Sequence, residues 1–382
     1  MKVQLAKPDI TEREIEAVVE VIKSGILSIG PRIIEFEKKI AKYVGVKNGI
    51  AVNSGTSALN LIIKALNIGE GDEVITTPFS FVASTNCFLM EGANPVFVDI
   101  DPISFNMDIN KIEEKITEKT KAILAVDVFG QPMDMVSLRK IADKYKLYLI
   151  EDSCEALGSE YKGIKAGSLA DAGVYAFYPN KQITTGEGGI IVTNNDELAD
   201  MCRSLRSQGR AITGQWLHHE RLGYNFRFSE LSAALGCVQM ERINEIIRKK
   251  QEIAKRYNEL LNDVDGITIP YINPDVSYMS WFVYVIQVNN NIDRDYVMNY
   301  LRDKGIGCKP YFTPIHVQPY IKEKYGFKEG DYPIASDIGN RSIALPFFND
   351  MSDEMIVYVV NNIKEAVESY NVESFVASAR DE

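Results

Sequence analysis

The first two hundred residues alternate between two kinds of apolar spacing. Thr11, with Glu14 three residues on, makes a capping box ahead of Ile15, Val18, Val19 and Ile22, and Gly25 follows as the stop. Pro31 stands at a first helical position, and Gly45 closes the segment that carries Phe36, Ile40 and Tyr43. Short apolar runs come next, over 49–52, 73–76, 96–98, 122–126, 147–150, 173–177 and 189–192. Runs of that length predict buried strands. Helical spacing fills the intervals between most of the earlier runs, as over 57–66 and 135–145. Strands alternating with helices predict an α/β fold built on a mostly parallel sheet, covered on both faces.

Farther along, the pattern changes. Residues 229–261 predict one long helix, a natural bridge between domains. Residues 281–288 alternate like a strand, while 294–303 and 353–369 predict helices. The chain therefore reads as a large domain over 1–250 and a smaller C-terminal α+β domain over 251–382. The tail from Asn371 shows no periodicity and is expected to be a loose end.

A length of 382 residues suits such a pair of domains better than one small core. Hydrophobic residues at 46% and charged residues at 25% are those of a folded globular chain. The net charge of −11 argues against a nucleic-acid partner, which would call for a basic excess. It does not exclude a phosphorylated small molecule, because local donors bind phosphate. The start, Met1 to Asp9, lacks the apolar core of a signal peptide, and no apolar run approaches the ~18 residues of a membrane span. Cys87, Cys154, Cys202, Cys237 and Cys308 are scattered, and the three histidines show no zinc spacing. A reduced, cytoplasmic, metal-free protein is the expectation.

Parallel sheets bind ligands beyond the carboxyl ends of their strands, and three segments place polar or glycine-rich residues there. Asn53-Ser54-Gly55-Thr56-Ser57 runs from a strand end into a helix, as a phosphate cradle or a plain N-cap. Leu149-Ile150-Glu151-Asp152 ends an apolar strand on a carboxylate that is costly to bury alone. Asp152 either caps the next segment or meets a cation, such as a protonated pyridine nitrogen. Two charges ~4 Å apart at an effective dielectric of ~20 interact by ~4 kcal/mol, which would keep such a ring protonated as an electron sink. The third segment, Ala176-Phe177-Tyr178-Pro179-Asn180-Lys181, leads into Thr184-Thr185-Gly186-Glu187-Gly188-Gly189. Lys181 is either a solvated loop lysine or, held among apolar groups, a Schiff-base amine.

In this order and at these separations, the segments resemble the DegT/StrS-type sugar aminotransferases, over about Pro8 to Ile363. The resemblance implies an aspartate-aminotransferase-like large domain (fold type I of pyridoxal-phosphate enzymes) and bound pyridoxal 5'-phosphate. It places the cofactor's Schiff base on Lys181, the partner of the pyridine nitrogen on Asp152, and phosphate contacts on Gly55 and Thr56. Phe81, in Thr77-Pro78-Phe79-Ser80-Phe81, would stack on the ring, with core packing as its other reading. Asn225, in Gly223-Tyr224-Asn225, would reach the phosphate of a neighbouring subunit, which implies a homodimer with shared sites; it could also cap a turn. Tyr311 and His316 fall in a stretch that borders the sugar-nucleotide cleft, although a structural role suits His316 as well. His218 and His219, beside Trp216, read as surface residues. Arg203, Arg206, Arg210, Arg227 and Lys309 are diphosphate candidates for which a surface role is the better reading.

Two positions depart from the family pattern. Ala176 stands where many members have a phosphate-binding serine, and Glu155 stands near the ring hydroxyl where many have glutamine or histidine. Glu155 resembles relatives of the perosamine-synthase type. The implied activity is transfer of an amino group from an amino acid, by family analogy glutamate, to a nucleotide-linked keto sugar. A 4-keto-6-deoxyhexose is the favoured acceptor, in amino-sugar and surface polysaccharide (lipopolysaccharide) biosynthesis. The alternatives are a sugar dehydratase of the same family, which carries histidine in place of the lysine, and a non-catalytic regulatory protein.

Overall fold

A computed structural model describes residues 1–211 and 217–381, those after Val372 by backbone alone. Trp216 lies outside the described residues. The first helix, Glu12–Ser24, starts at the expected capping box and stops at Gly25, whose φ of 72° suits glycine. The second, Pro31–Val44, buries Phe36, Ile40 and Val44. The first helix does the opposite with its apolar stripe. Ile15, Val19 and Ile22 are exposed, as are Ile26, Leu27 and Ile29 beyond it, while Glu14 is buried. The Glu14 carboxylate, besides capping, accepts from Arg242 at 2.7 Å and Gln239 at 2.8 Å. An amphipathic stripe turns inward only where an apolar neighbour faces it, and here the inward neighbours are polar.

Among the described residues, nine strands precede the long helix: β1 (Asn48–Val52), β2 (Glu73–Thr76), β3 (Asn94–Phe97), β4 (Thr120–Val126), β5 (Tyr148–Asp152), β6 (Glu160–Tyr161), β7 (Ile164–Lys165), β8 (Ala172–Ala176) and β9 (Gly189–Thr193). Seven form one sheet in the order β1-β9-β8-β5-β4-β2-β3. All of its neighbours are parallel except β9, which runs against both β1 and β8. One edge of the sheet therefore gathers the carboxyl ends of β1, β4, β5 and β8 with the start of β9. Gly189 is in register with both Val52 and Ala176.

The second unit is an antiparallel sheet of β10 (Ile267–Thr268), β12 (Tyr284–Val288), β14 (Ser342–Leu345) and β13 (Lys309–Pro310). β11 (Val276–Tyr278) pairs instead with β6, which pairs with β7. The strand expected from residue 281 begins at Tyr284, because Trp281 has a left-handed φ of 54° that extended backbone does not accommodate. The long helix Glu230–Leu261 serves both units. Ala233 to Ile247 pack with the second helix and β8, and Ile253 to Leu261 with Tyr284, Ile286 and Val359. The helix changes packing partners between Ile247 and Ile253. Val3 pairs with Ile306 and packs in the second core, so the chain begins on the smaller unit.

The tail expected to be loose continues the last helix, Asp353–Asp381. Helical hydrogen bonds need no apolar face, so periodicity gave no sign of this extension. Among the described residues no helix is long and apolar enough to cross a membrane.

Candidate active site

Lys181 sits in the loop that returns β8 to β9. The loop closes on itself through Phe177 N–H to Gly188 O at 2.9 Å, Thr185 N–H to Phe177 O at 3.0 Å and Lys181 N–H to Tyr178 O at 2.9 Å. Two glycines make the closure possible. Gly186 turns with φ of 80°, and a Cβ on Gly189 would lie 2.5 Å from the carbonyl of Ser54. The Lys181 side chain is 13% exposed, with Nζ 3.4 Å from Glu155 Oε1. The same Nζ stands 3.9 Å from the centroid of the Phe282 ring. Burial pushes the Glu155 carboxyl above its ordinary range, against the pull of the Lys181 ammonium. The second oxygen of Glu155 accepts from Phe129 N–H at 3.0 Å.

Asp152 closes β5 and is 5% exposed. Its Oδ2 accepts from Ser84 Oγ at 2.7 Å, and its Oδ1 from Cys154 N–H at 3.2 Å. It thus caps the next segment as well as facing the site. No cation pairs with it among the described side chains, so a buried carboxylate stands ready for one from outside the chain. Ser84 also meets Ser80 Oγ at 2.8 Å.

The turn after β1 completes the group. Ser54 is the N-cap of helix Gly55–Ala65, accepting from Ser57 N–H at 3.1 Å. The first-turn amides of Gly55 and Thr56 have no partner within that helix and lie at its positive end. A Cβ on Gly55 would stand 2.8 Å from Ala176 Cβ and 3.0 Å from Cys154 Sγ, so all three expected segments converge on this glycine. The residues present fit a phosphorylated pyridine aldehyde. There are free amides for the phosphate, an uncompensated carboxylate for a ring cation and an amine for the carbonyl. With alanine at 176, no side-chain hydroxyl accompanies those amides at that position.

The other expected residues are placed unevenly. Phe81 is 62% exposed, which removes the core-packing reading within this chain. Asn225 is exposed on a segment that bridges Ser207 and runs beside the end of β1, where Asn53 N–H donates to Phe226 O at 3.1 Å. Tyr311 packs near the Phe282 ring, and burial pushes its hydroxyl up to about 12. The structure does not bring His316 to this group. Its ring is fully buried against Tyr332, with Nε2 3.4 Å from Glu329 O, and burial pushes its pKa down. These contacts support the structural reading of His316. His218 and His219 are exposed. Arg203 pairs with Asp200 at 2.8 Å, and Arg206 donates to Ala51 O at 2.6 Å, so both hold the fold.

Sequence reasoning missed Ser84 and Phe282. Ser84 lies three residues after Phe81, one residue into the helix Ala83–Leu89, and that nearness was the available signal. Phe282 carried none, since its ring reaches Lys181 only through the tertiary fold. Also unforeseen is a buried acid pair, Asp127 just past the end of β4 and Glu151 on β5. Burial pushes Asp127 up to about 7, and burial with the Asp127 charge pushes Glu151 well up. Among the described residues no cluster of histidine, cysteine, aspartate or glutamate could hold a metal ion.

Comparison with known proteins agrees with this arrangement. Residues 8–364 match the DegT/DnrJ/EryC1/StrS aminotransferase family. The chain is 39% identical to the GDP-perosamine synthase of Escherichia coli O157:H7, over 94% of this chain and 97% of the relative. It is 34% identical to the UDP-4-amino-4-deoxy-L-arabinose--oxoglutarate aminotransferase of Shewanella sediminis, over 95% of this chain and 97% of the relative. Helicobacter pylori PseC, an aminotransferase involved in the biosynthesis of pseudoaminic acid, superposes with a TM-score of 0.91 at 30% identity, covering 97% of this chain and all of that one. A match over nearly the full length, on a site whose three segments converge as the chemistry requires, means that the chain belongs to the DegT/DnrJ/EryC1/StrS aminotransferase family.

Proposed function

We propose that this protein is a pyridoxal-phosphate-dependent aminotransferase that moves an amino group from glutamate to a nucleotide-linked 4-keto-6-deoxyhexose. The observation that carries the reading is the meeting of Lys181, the unpaired buried Asp152 and the Gly55–Thr56 amides at one sheet edge. Pyridoxal phosphate, when bound, supplies a carbonyl for amines and a sink for electrons. The chain supplies the rest. The amides of Gly55 and Thr56 hold the phosphate, and Asp152 holds the ring nitrogen in its protonated form. Lys181, as a neutral amine, would move the proton between the donor Cα and the carbonyl-derived carbon of the cofactor. Glu155 fixes the direction of the Lys181 side chain through the contact at 3.4 Å.

The names of the relatives support the finer reading. One makes a GDP-linked perosamine, and another pairs a 4-amino sugar with oxoglutarate, the keto acid that glutamate becomes. The test is a panel of nucleotide-linked 4-keto and 3-keto sugars with glutamate, read by mass spectrometry. A 4-amino-6-deoxy product is expected, and turnover of 3-keto sugars alone would refute the acceptor. Lys181 argues against a dehydratase. Absence of a cofactor absorbance band would favour a non-catalytic protein.

The same reading makes the protein a homodimer with shared sites. The outward stripe of Ile15, Val19, Ile22, Ile26, Leu27 and Ile29 supports it, since so long an apolar row is unusual on a monomer. Asn225 and Phe81, both exposed, would be completed by the partner. Lys181→Ala and Asn225→Ala are each expected to be impaired, and co-refolding them should restore about a quarter of native activity. In a mixed dimer, one site of the two is native. No rescue in proven mixed dimers would place Asn225 within its own chain's site or outside it.

A further inference from the structure

A second lysine lies behind the first. Lys250, on the helix Glu230–Leu261, is 5% exposed. A lysine buried that deeply is ordinarily paired with a carboxylate. This one is not. Its Nζ donates to Phe282 O at 3.4 Å and stands 5.0 Å from the centroid of the Phe347 ring. Phe282 therefore joins two lysines, with Lys181 Nζ on its ring and Lys250 Nζ on its carbonyl.

A cavity of about 10 Å³, lined among others by Asn180, Lys181, Lys250 and Asn349, lies between them. It is large enough for about one water. The side-chain oxygens of Asn180 and Asn349 are buried there without a hydrogen-bond partner. The charged groups facing Lys250 are Lys181 from the loop, and Lys7 and Asp9 from the N-terminal segment. Lys7 pairs with Asp350 at 2.7 Å. Asp9 is held by Arg242 at 2.6 Å and Lys249 at 3.2 Å, so it is already engaged by other cations. Phe282 and Phe347 offer no charge.

We propose that Lys250 is a positioning residue for Lys181, acting through the Phe282 clamp and through its charge across the water-sized cavity. The inference rests on Lys181 being the cofactor lysine. The Lys181 charge is felt at Lys250, so charge on both nitrogens at once is disfavoured, and a neutral amine is the form that attacks carbonyls and accepts protons. Burial first, and the Lys181 charge second, push Lys250 itself down to about 7, so its charge is only partly present at neutral pH.

The test compares wild type, Lys250→Arg and Lys250→Met as holoenzymes, following the absorbance of the lysine-bound cofactor against pH. Arginine keeps the donor to Phe282 and a full charge; methionine keeps neither. The midpoint is expected to be lowest in the arginine variant and highest in the methionine variant, about one pH unit above wild type. A purely structural role would leave equal midpoints in folded variants, and that result overturns the proposal. A second measurement needs no cofactor and no Lys250 variant in quantity. In apoprotein with isotope-labelled lysine, NMR should show Lys250 titrating near 7, and Lys181→Met should raise that midpoint, because it removes the repelling Lys181 charge. A Lys250 midpoint that is indifferent to Lys181→Met also overturns it. Borohydride reduction reports separately whether the cofactor is on Lys181, so failure of the functional reading is distinguishable.

Discussion

Lys181→Ala is expected to leave a folded protein that forms no covalent link to pyridoxal phosphate and turns over at least about four orders of magnitude more slowly. The fold should survive because the loop is closed by backbone bonds, notably Lys181 N–H to Tyr178 O, which alanine retains. The lost ion pair costs little, since Glu155 is already pushed towards its neutral form by burial. Lys250, which lines the same cavity, donates instead to the Phe282 carbonyl. Borohydride reduction of the native holoenzyme should fix the cofactor on the peptide that contains Lys181. Recovery of the cofactor on a different lysine would refute the site.

The second large effect is electrostatic. In Asp152→Asn the amide can keep both local bonds, with its oxygen accepting from Cys154 N–H and its nitrogen donating to Ser84 Oγ. Thermal stability and much of the cofactor affinity should therefore stay near native. What goes is the charge that holds a proton on the pyridine nitrogen. At ~4 Å and an effective dielectric of ~20 this is worth ~4 kcal/mol, or about three orders of magnitude in rate if none is compensated. Conversion of the cofactor by glutamate, followed by single-turnover absorbance, is the measurement. Near-native rates would reduce Asp152 to a cap, a role its contact with Cys154 already shows it can fill.

The elements most readable in advance were those whose signals are local. Thr11 with Glu14, Pro31 with Gly45, and the apolar runs of the sheet specified their helices and strands because caps and pleats are decided within a few residues. The reversed direction of β9 within the seven-stranded sheet was not legible, since an apolar run carries no direction. Among the site residues, the segments around Gly55, Asp152 and Lys181 announced themselves by polar groups at strand ends. Their convergence on Gly55 required the register of β9.

By itself, then, the sequence determined the elements, the α/β class, and the amine, carboxylate and glycine turn that the chemistry needs. Tertiary structure alone decided which faces those elements present. The first helix turns Ile15, Val19 and Ile22 outward because Arg242 and Gln239 claim Glu14 on its inner side. His316, expected either to border the sugar-nucleotide cleft or to play a structural role, is buried against Tyr332. Lys250, an unremarkable position in a charged helical run, loses its solvent only because Phe282 and Phe347 close over it from the other unit. Periodicity is a property of neighbours in the chain. Burial and charge pairing depend on groups that are distant in sequence and meet only when the chain is folded.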